Sequence, residues 1–148
     1  MAHHPTLRII DVNLNRVCEG LRVLEDVARF VIADKESSRK YKSIRHDLRQ
    51  TGSRLGLSLE KSRDAANDIG ADFDLTNSHQ DFPSIIRANS KRVEEGLRVL
   101  EEIAKLPDVS GLLPGEALKK HRYAVYTLSR DLMISLDKTN KHTDQNEA

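Results

Sequence analysis

NLNRVCEGLRVLEDVARF (13–30) reappears as NSKRVEEGLRVLEEIAKL (89–106), at a constant offset of 76. Asn13/Asn89, Arg16/Arg92, Val17/Val93, the whole run EGLRVLE (19–25 over 95–101) and Ala28/Ala104 are identical. A second block trails each copy: YKSIRHDL (41–48) lies over LKKHRYAV (118–125) at offset 77, keeping Lys42/Lys119 and Arg45/Arg122. Self-similarity at this level marks a duplication. Each half reads as two helices joined by a short loop, so the expected fold is all-α. It consists of duplicated helical hairpins, about 11–56 and 87–134, forming a small bundle with pseudo-twofold symmetry.

The periodicity supports helices throughout. Leu14, Val17, Leu21, Leu24, Ala28 and Val31 alternate spacings of three and four, the signature of one buried stripe. Asp11 precedes this stripe as the expected N-cap, and the helix is expected to run to about Ala33. At 100° per residue Asn13, Arg16 and Gly20 fall inside the apolar arc, and Asn89, Arg92 and Gly96 repeat them. Arg22 projects nearly opposite. Glycine inside a helix costs about 1 kcal/mol against alanine, so Gly20 and Gly96 imply close approach of a neighbouring helix or a ligand. In the second helices Tyr41, Ile44, Leu48 and Leu55 enclose Arg45, while Leu118, Val125, Leu128 and Leu132 enclose Arg122.

Four arginines, Arg16, Arg45, Arg92 and Arg122, are therefore expected to point inward or into helix seams. A guanidinium is rarely buried without a carboxylate or phosphate. Internal pairing with Glu19, Glu25, Glu95 or Glu101 would satisfy them. Those glutamates, however, lie nearer the stripe borders, with Arg22 and Arg98 as solvent-side partners three residues away. An oxyanion site, best matched to phosphate, is the expectation.

Composition sets the outer bounds. The chain has 148 residues, 32% of them charged, with 24 Lys+Arg against 23 Asp+Glu. Such a length suits one domain, here 1–136, and balanced charge argues against nucleic acid as partner. No apolar run approaches the ~18 residues of a membrane span, and MAHHPT carries no signal pattern, so a soluble cytoplasmic protein is expected. Cys18 is the single cysteine and has no paired histidine, which removes disulfides and a thiol nucleophile from consideration. His46 flanks the Arg45 stripe, a candidate for contacting a bound phosphate or simply a surface histidine. Residues 58–86 break the symmetry with Asp64, Asn67, Asp68, Asp72 and Asp74 around Gly70, loop chemistry able to hold Mg²⁺ or simply to cap turns. The stretch DKTNKHTDQNEA (137–148) is polar and unpatterned, expected as a linker or frayed tail. The phosphate-binding loop, dinucleotide fingerprint, nucleophile elbow and HExxH motif are all missing from the sequence.

The ordered series RIIDVNLNRVCEGLRVLEDVARFV, SIRHDLR, RDAANDIG, RANSKRVEEGLRVLEEIAK and KKHRYAVYTL resembles the small helical hydroxymethylpyrimidine-phosphate kinase domain, over roughly residues 7–132. That domain is often fused ahead of thiamine-phosphate synthase. The acidic ADFDLT after the DIG at 68–70 departs from the family's pattern. The resemblance implies ATP-dependent phosphorylation of 4-amino-5-hydroxymethyl-2-methylpyrimidine phosphate to its diphosphate, in thiamine biosynthesis. It implies Arg16, Arg45, Arg92 and Arg122 as phosphate clamps and Asn13 and Asn89 on the pyrimidine edge or phosphate oxygens. It further implies Asp68 with Asp64 for Mg²⁺, and Glu19 and Glu95 at the hydroxymethyl group as base or hydrogen-bond acceptor. A fused or separate synthase is the implied partner, and a homodimer stays open. Two other classes compete: a non-catalytic module that binds the phosphorylated ligand for a synthase, and a structural dimerisation domain whose polar repeats pair with each other. The direction of the four arginines separates them.

Overall fold

The computed structural model describes residues 4–73 and 78–147, and all regular structure among them is helical. Helix α1 (His4–Asp26) passes into a wide π turn (Val27–Ile32), then α2 (Lys35–Leu55), the short α3 (Leu57–Lys61), a 3₁₀ turn (Ala65–Asn67), α4 (Phe82–Ile103) and α5 (Gly115–Glu147). The stripes predicted from sequence are the core: Leu14, Val17, Leu21, Leu24, Tyr41, Leu48, Val93, Leu97, Leu100, Leu118, Val125 and Leu132 are buried. α1 lies between α2 and α4, and α5 packs mainly on α4.

The α1–α4 crossing is set by glycine. A Cβ on Gly20 would stand 2.7 Å from Val93 Cγ2 and 3.2 Å from the Asn89 carbonyl. One on Gly96 would stand 2.5 Å from Val17 Cγ2 and 3.6 Å from the Asn13 carbonyl. Each conserved glycine of the repeat thus receives the valine of the other copy. On the far side, Tyr41 of α2 is fully buried with its hydroxyl 3.2 Å from Ser129 Oγ of α5. Burial pushes that phenol up to about 12.

Two helix starts follow the capping rule. Asp34 accepts from the Ser37 amide (3.1 Å) at α2 and Asp81 from the Ser84 amide (2.9 Å) at α4, with Pro83 in the first turn. Both carboxyls are held below the usual range, chiefly by these serine hydrogen bonds. Two expectations need correction. Asp11 is no cap: α1 begins seven residues earlier, at His4, and Asp11 is buried in mid-helix. The polar stretch after Leu136 is helix to Glu147, solvated on all sides and braced by Lys141 on Asp137 (2.8 Å) and by the Thr139 and Thr143 hydroxyls on carbonyls one turn back.

Candidate functional site

The duplicated polar residues occupy three places rather than one. Asn13 is buried, as its place on the wheel implies, yet its amide donates to the Ile9 carbonyl (2.9 Å). Asn89 donates likewise to Ile85 (2.9 Å). Arg16 and Arg92 are exposed, against the inward direction expected of them. Each sits at the edge of the apolar arc, where a long side chain lays its stem on the core and keeps its head in water. Arg92 reaches Glu19 across the α1–α4 crossing (Nη1 to Oε2, 3.9 Å), and Glu19 and Glu95 are exposed too.

Arg45 and Arg122 do turn inward, and glutamates meet them there. Glu25 Oε2 accepts from Arg45 Nε (3.2 Å) and Nη2 (2.9 Å). Glu101 accepts from Arg122 Nε on Oε2 (2.6 Å) and from Nη2 on Oε1 (3.0 Å). Both carboxylates are buried at the stripe border; Glu101 keeps a long contact to Arg98 (4.0 Å), as the wheel suggested, but Glu25 is not the solvent-side partner of Arg22. Instead Arg22 leans on Asp26 (3.6 Å) and Arg98 chiefly on Glu102 (2.9 Å), both in solvent as expected. Arg122 also lies over the Tyr123 ring (5.1 Å), and the Glu101 hydrogen bonds raise its pKa further. His46 is exposed on α2.

A cleft lies elsewhere, between α1, α2, α3 and the 62–68 loop. Its inner part, about 200 Å³, is walled by Asp11, Asn15, Cys18, Arg49 and Arg63. Asp11, Asn15 and Arg63 also wall its outer part, about 340 Å³, which opens past Arg8, Asp64 and Asp68. Asp11 fixes this geometry: its two oxygens accept from Arg63 Nε (2.7 Å) and Nη2 (2.9 Å), and this hydrogen bonding raises the guanidinium pKa. Arg8 Nη2 donates to the Asp64 carbonyl (3.4 Å), and Arg49 Nη1 to Asn15 Oδ1 (3.4 Å). Asn67 donates to both Asp64 oxygens (3.0 and 2.8 Å) and thereby holds the carboxyl low. Asp68 Oδ1 accepts from the Gly70 amide (2.9 Å). Cys18 lines the inner wall, where burial raises its thiol and makes it a poor nucleophile.

Of the residues expected in a site, the cleft unites Asp64 and Asp68 but is lined by none of the four repeated arginines. Its own cations, Arg8, Arg49 and Arg63, escaped the sequence reading because they lie outside the repeat. The signal was the RDAANDIG block, where Arg63 immediately precedes Asp64. No cluster of three or more His, Cys, Asp or Glu fit to hold a metal occurs among the described residues. Two carboxylates suffice for Mg²⁺, which keeps several waters and takes substrate phosphates as further ligands. Of the other acidic candidates of the stretch, Asp72 is exposed and lines neither part of the cleft, and Asp74 lies outside the described residues.

Residues 8–131, from the Arg8 rim of this cleft into α5, match the ThiD2 family. The chain belongs to that family. Relatives of this ThiD2 chain include proteins named thiamine-phosphate synthase. One from Synechocystis sp. is 39% identical over 132 residues, covering 86% of this chain and 36% of the relative. Another, from Rhodopirellula baltica, is 36% identical over 133 residues, covering 88% and 35%. A third, from Nostoc punctiforme, is 37% identical over 132 residues, covering 85% and 35%. The ThiD2 chain thus spans about a third of the length of the curated relatives it matches. No solved structure matches it. No helix among the described residues is long and apolar enough to cross a membrane.

Proposed function

We propose that this ThiD2 chain acts in thiamine biosynthesis, transferring a phosphoryl group from ATP to 4-amino-5-hydroxymethyl-2-methylpyrimidine phosphate and giving the diphosphate. The observation that carries the reading is the α1–α2–α3 cleft, where Arg8 and Arg63 line the outer part with Asp64 and Asp68, and Arg49 lines the inner part. Phosphoryl transfer needs positioning and charge neutralisation more than covalent chemistry, and cations facing paired carboxylates suit that demand. The acceptor is a monophosphate oxygen, largely ionised at neutral pH because the second phosphate pKa is near 6. A strong base is therefore unnecessary, and Glu19 and Glu95 serve as hydrogen-bond acceptors in this reading. Mg²⁺ held by Asp64 and Asp68 would neutralise charge on the bridging phosphates. Arg63, fixed by Asp11, and Arg49, steadied by Asn15, would clamp phosphate oxygens; Arg16, exposed, and Arg92, held by Glu19 only at 3.9 Å, would approach from the α1–α4 crossing. The implied partner is thiamine-phosphate synthase, which consumes the diphosphate, and the relatives' names support that link.

A second reading has its own support: Arg45 and Arg122 are closed by glutamates, which favours a structural dimerisation domain whose polar repeats pair with each other; a module that binds phosphorylated ligand without turning it over is the third. One assay separates the first from the others. Incubation with ATP, Mg²⁺ and the pyrimidine monophosphate is expected to yield the pyrimidine diphosphate and ADP, while the unphosphorylated alcohol is largely spared. Ligand binding without turnover would leave the module reading standing.

A further inference from the structure

The duplication has produced two equivalent hollows, one beside each Glu–Arg pair. The first, about 440 Å³, is walled by Glu25, Arg29, Ala33, Lys35, Arg39 and Lys42, with Ser38. The second, about 400 Å³, contains the repeat mates Glu101, Lys105, Glu116 (in place of Arg39) and Lys119, together with Arg98. The charge of the two has diverged. In the first, Arg45 neutralises Glu25, and Arg29, Lys35, Arg39 and Lys42 form no ion pair among the described residues. In the second, Arg98 and Lys105 are both held by Glu102 (2.9 and 2.8 Å), and Glu116 adds a further negative charge.

Backbone geometry has diverged with it. The first hollow is built on the π turn Val27–Ile32, which carries Arg29, and on Ala33 at φ 57°. A left-handed alanine costs about 1–2 kcal/mol, and π turns within helices gather at functional sites. α4 ends at Ile103 without either feature. All four cations are exposed, with Arg29 over the Phe30 ring (4.7 Å), and lining one hollow together they give it a positive potential that attracts a polyanion.

We propose that the Arg29–Lys42 hollow is a binding site for a diphosphate group, and that its counterpart beside Glu101 has lost or never had this capacity. Two adjacent phosphates carry about −3 at neutral pH, a match for four cations that a single phosphate does not make. The hollow is not part of the Asp64/Asp68 cleft. Fourteen residues of α1 separate Asp11 from Glu25, roughly 21 Å at 1.5 Å per residue, so this inference stands independently of the kinase reading.

The test is titration of ¹⁵N-labelled protein, without Mg²⁺, with inorganic diphosphate, ADP and orthophosphate, following each amide resonance. Saturable shifts centred on Ala33–Lys42 are expected with diphosphate, at an affinity at least tenfold above orthophosphate. Shared binding of ADP extends the ligand to diphosphate esters; its absence restricts it to the free ion. Arg39→Ala/Lys42→Ala should weaken diphosphate binding at least tenfold and flatten its salt dependence, whereas Lys105→Ala/Lys119→Ala should change it less than twofold. Equal binding of orthophosphate, shifts centred elsewhere, or equal losses in the two double variants would overturn the proposal.

Discussion

Glu25 Oε2 takes two hydrogen bonds from Arg45, and the carboxylate is buried while the guanidinium is four-fifths so. Glu101 and Arg122 repeat the pair one duplication later. Removing one partner strands the other as an uncompensated charge in low dielectric, at about 3–5 kcal/mol. Arg45→Ala and Arg122→Ala are accordingly expected to lower unfolding stability by that order in urea melts. Arg22→Ala, which loses only an exposed contact to Asp26, should change it by tenths of a kcal/mol. Because Arg16 and Arg92 are exposed, their alanine variants should fold normally, and any loss of turnover in them reports ligand contact alone.

At the α1–α4 crossing, Gly20→Ala gains about 1 kcal/mol of helix propensity but drives a methyl into Val93 and the Asn89 backbone carbonyl. Overpacking of this kind costs roughly 1–3 kcal/mol, and the backbone oxygen cannot step aside. Net destabilisation is expected for Gly20→Ala and Gly96→Ala. Gly111→Ala, with nothing within 4 Å, is the neutral control. Val93→Ala added to Gly20→Ala should recover part of the loss; if it deepens the loss additively, steric crowding is not the cause.

These two sets of residues also mark what a sequence can convey. The glycines were legible because a mid-helix glycine inside an apolar stripe has few explanations and all require close approach. Helix periodicity was legible for the same local reason. The partners of Arg45 and Arg122 were not, because a helical wheel treats one helix at a time and these pairs join residues 20 and 21 apart on different helices. Asp11 misled similarly: an aspartate ahead of an apolar run is the usual cap, and only Arg63, 52 residues on, reveals its buried pairing. The extension of α5 beyond Leu136 was hidden because solvent surrounds it and no apolar stripe records it.

His121 gives a pH dependence of definite sign. It packs half-buried between α5 and α2, with Nε2 3.5 Å from Asp47 Oδ2. Burial lowers its pKa more than Asp47 raises it. With the folded value below the unfolded one near 6.5, the unfolded chain takes up a proton first as pH falls. Stability is thus present above about pH 6.5 and is lost as acidification passes through the folded value. The Tm should fall between pH 7.5 and 5.5, and His121→Gln should flatten that part of the profile. A Tm that rises on acidification would mean that Asp47 dominates.

The acidic rim of the cleft yields the most direct test of how the proposed reaction is organised. Asp64 and Asp68 are exposed and already satisfied locally, by Asn67 and by the Gly70 amide, so neither is needed for the core. Asp64→Asn and Asp68→Asn should leave thermal unfolding nearly unchanged while raising the Mg²⁺ concentration required for half-maximal turnover. Arg63 differs, because Asp11 holds its guanidinium in a fork that a lysine cannot reproduce. Arg63→Lys keeps the charge yet should lower turnover about ten- to a hundredfold, the loss of one charge-assisted contact worth roughly 1.5–3 kcal/mol. Its Mg²⁺ requirement should stay at the wild-type value. Opposite behaviour, with Arg63→Lys shifting the Mg²⁺ requirement and the aspartate variants only the rate, would mean that the metal is held elsewhere and that the loop carboxylates act on the phosphates through Arg63.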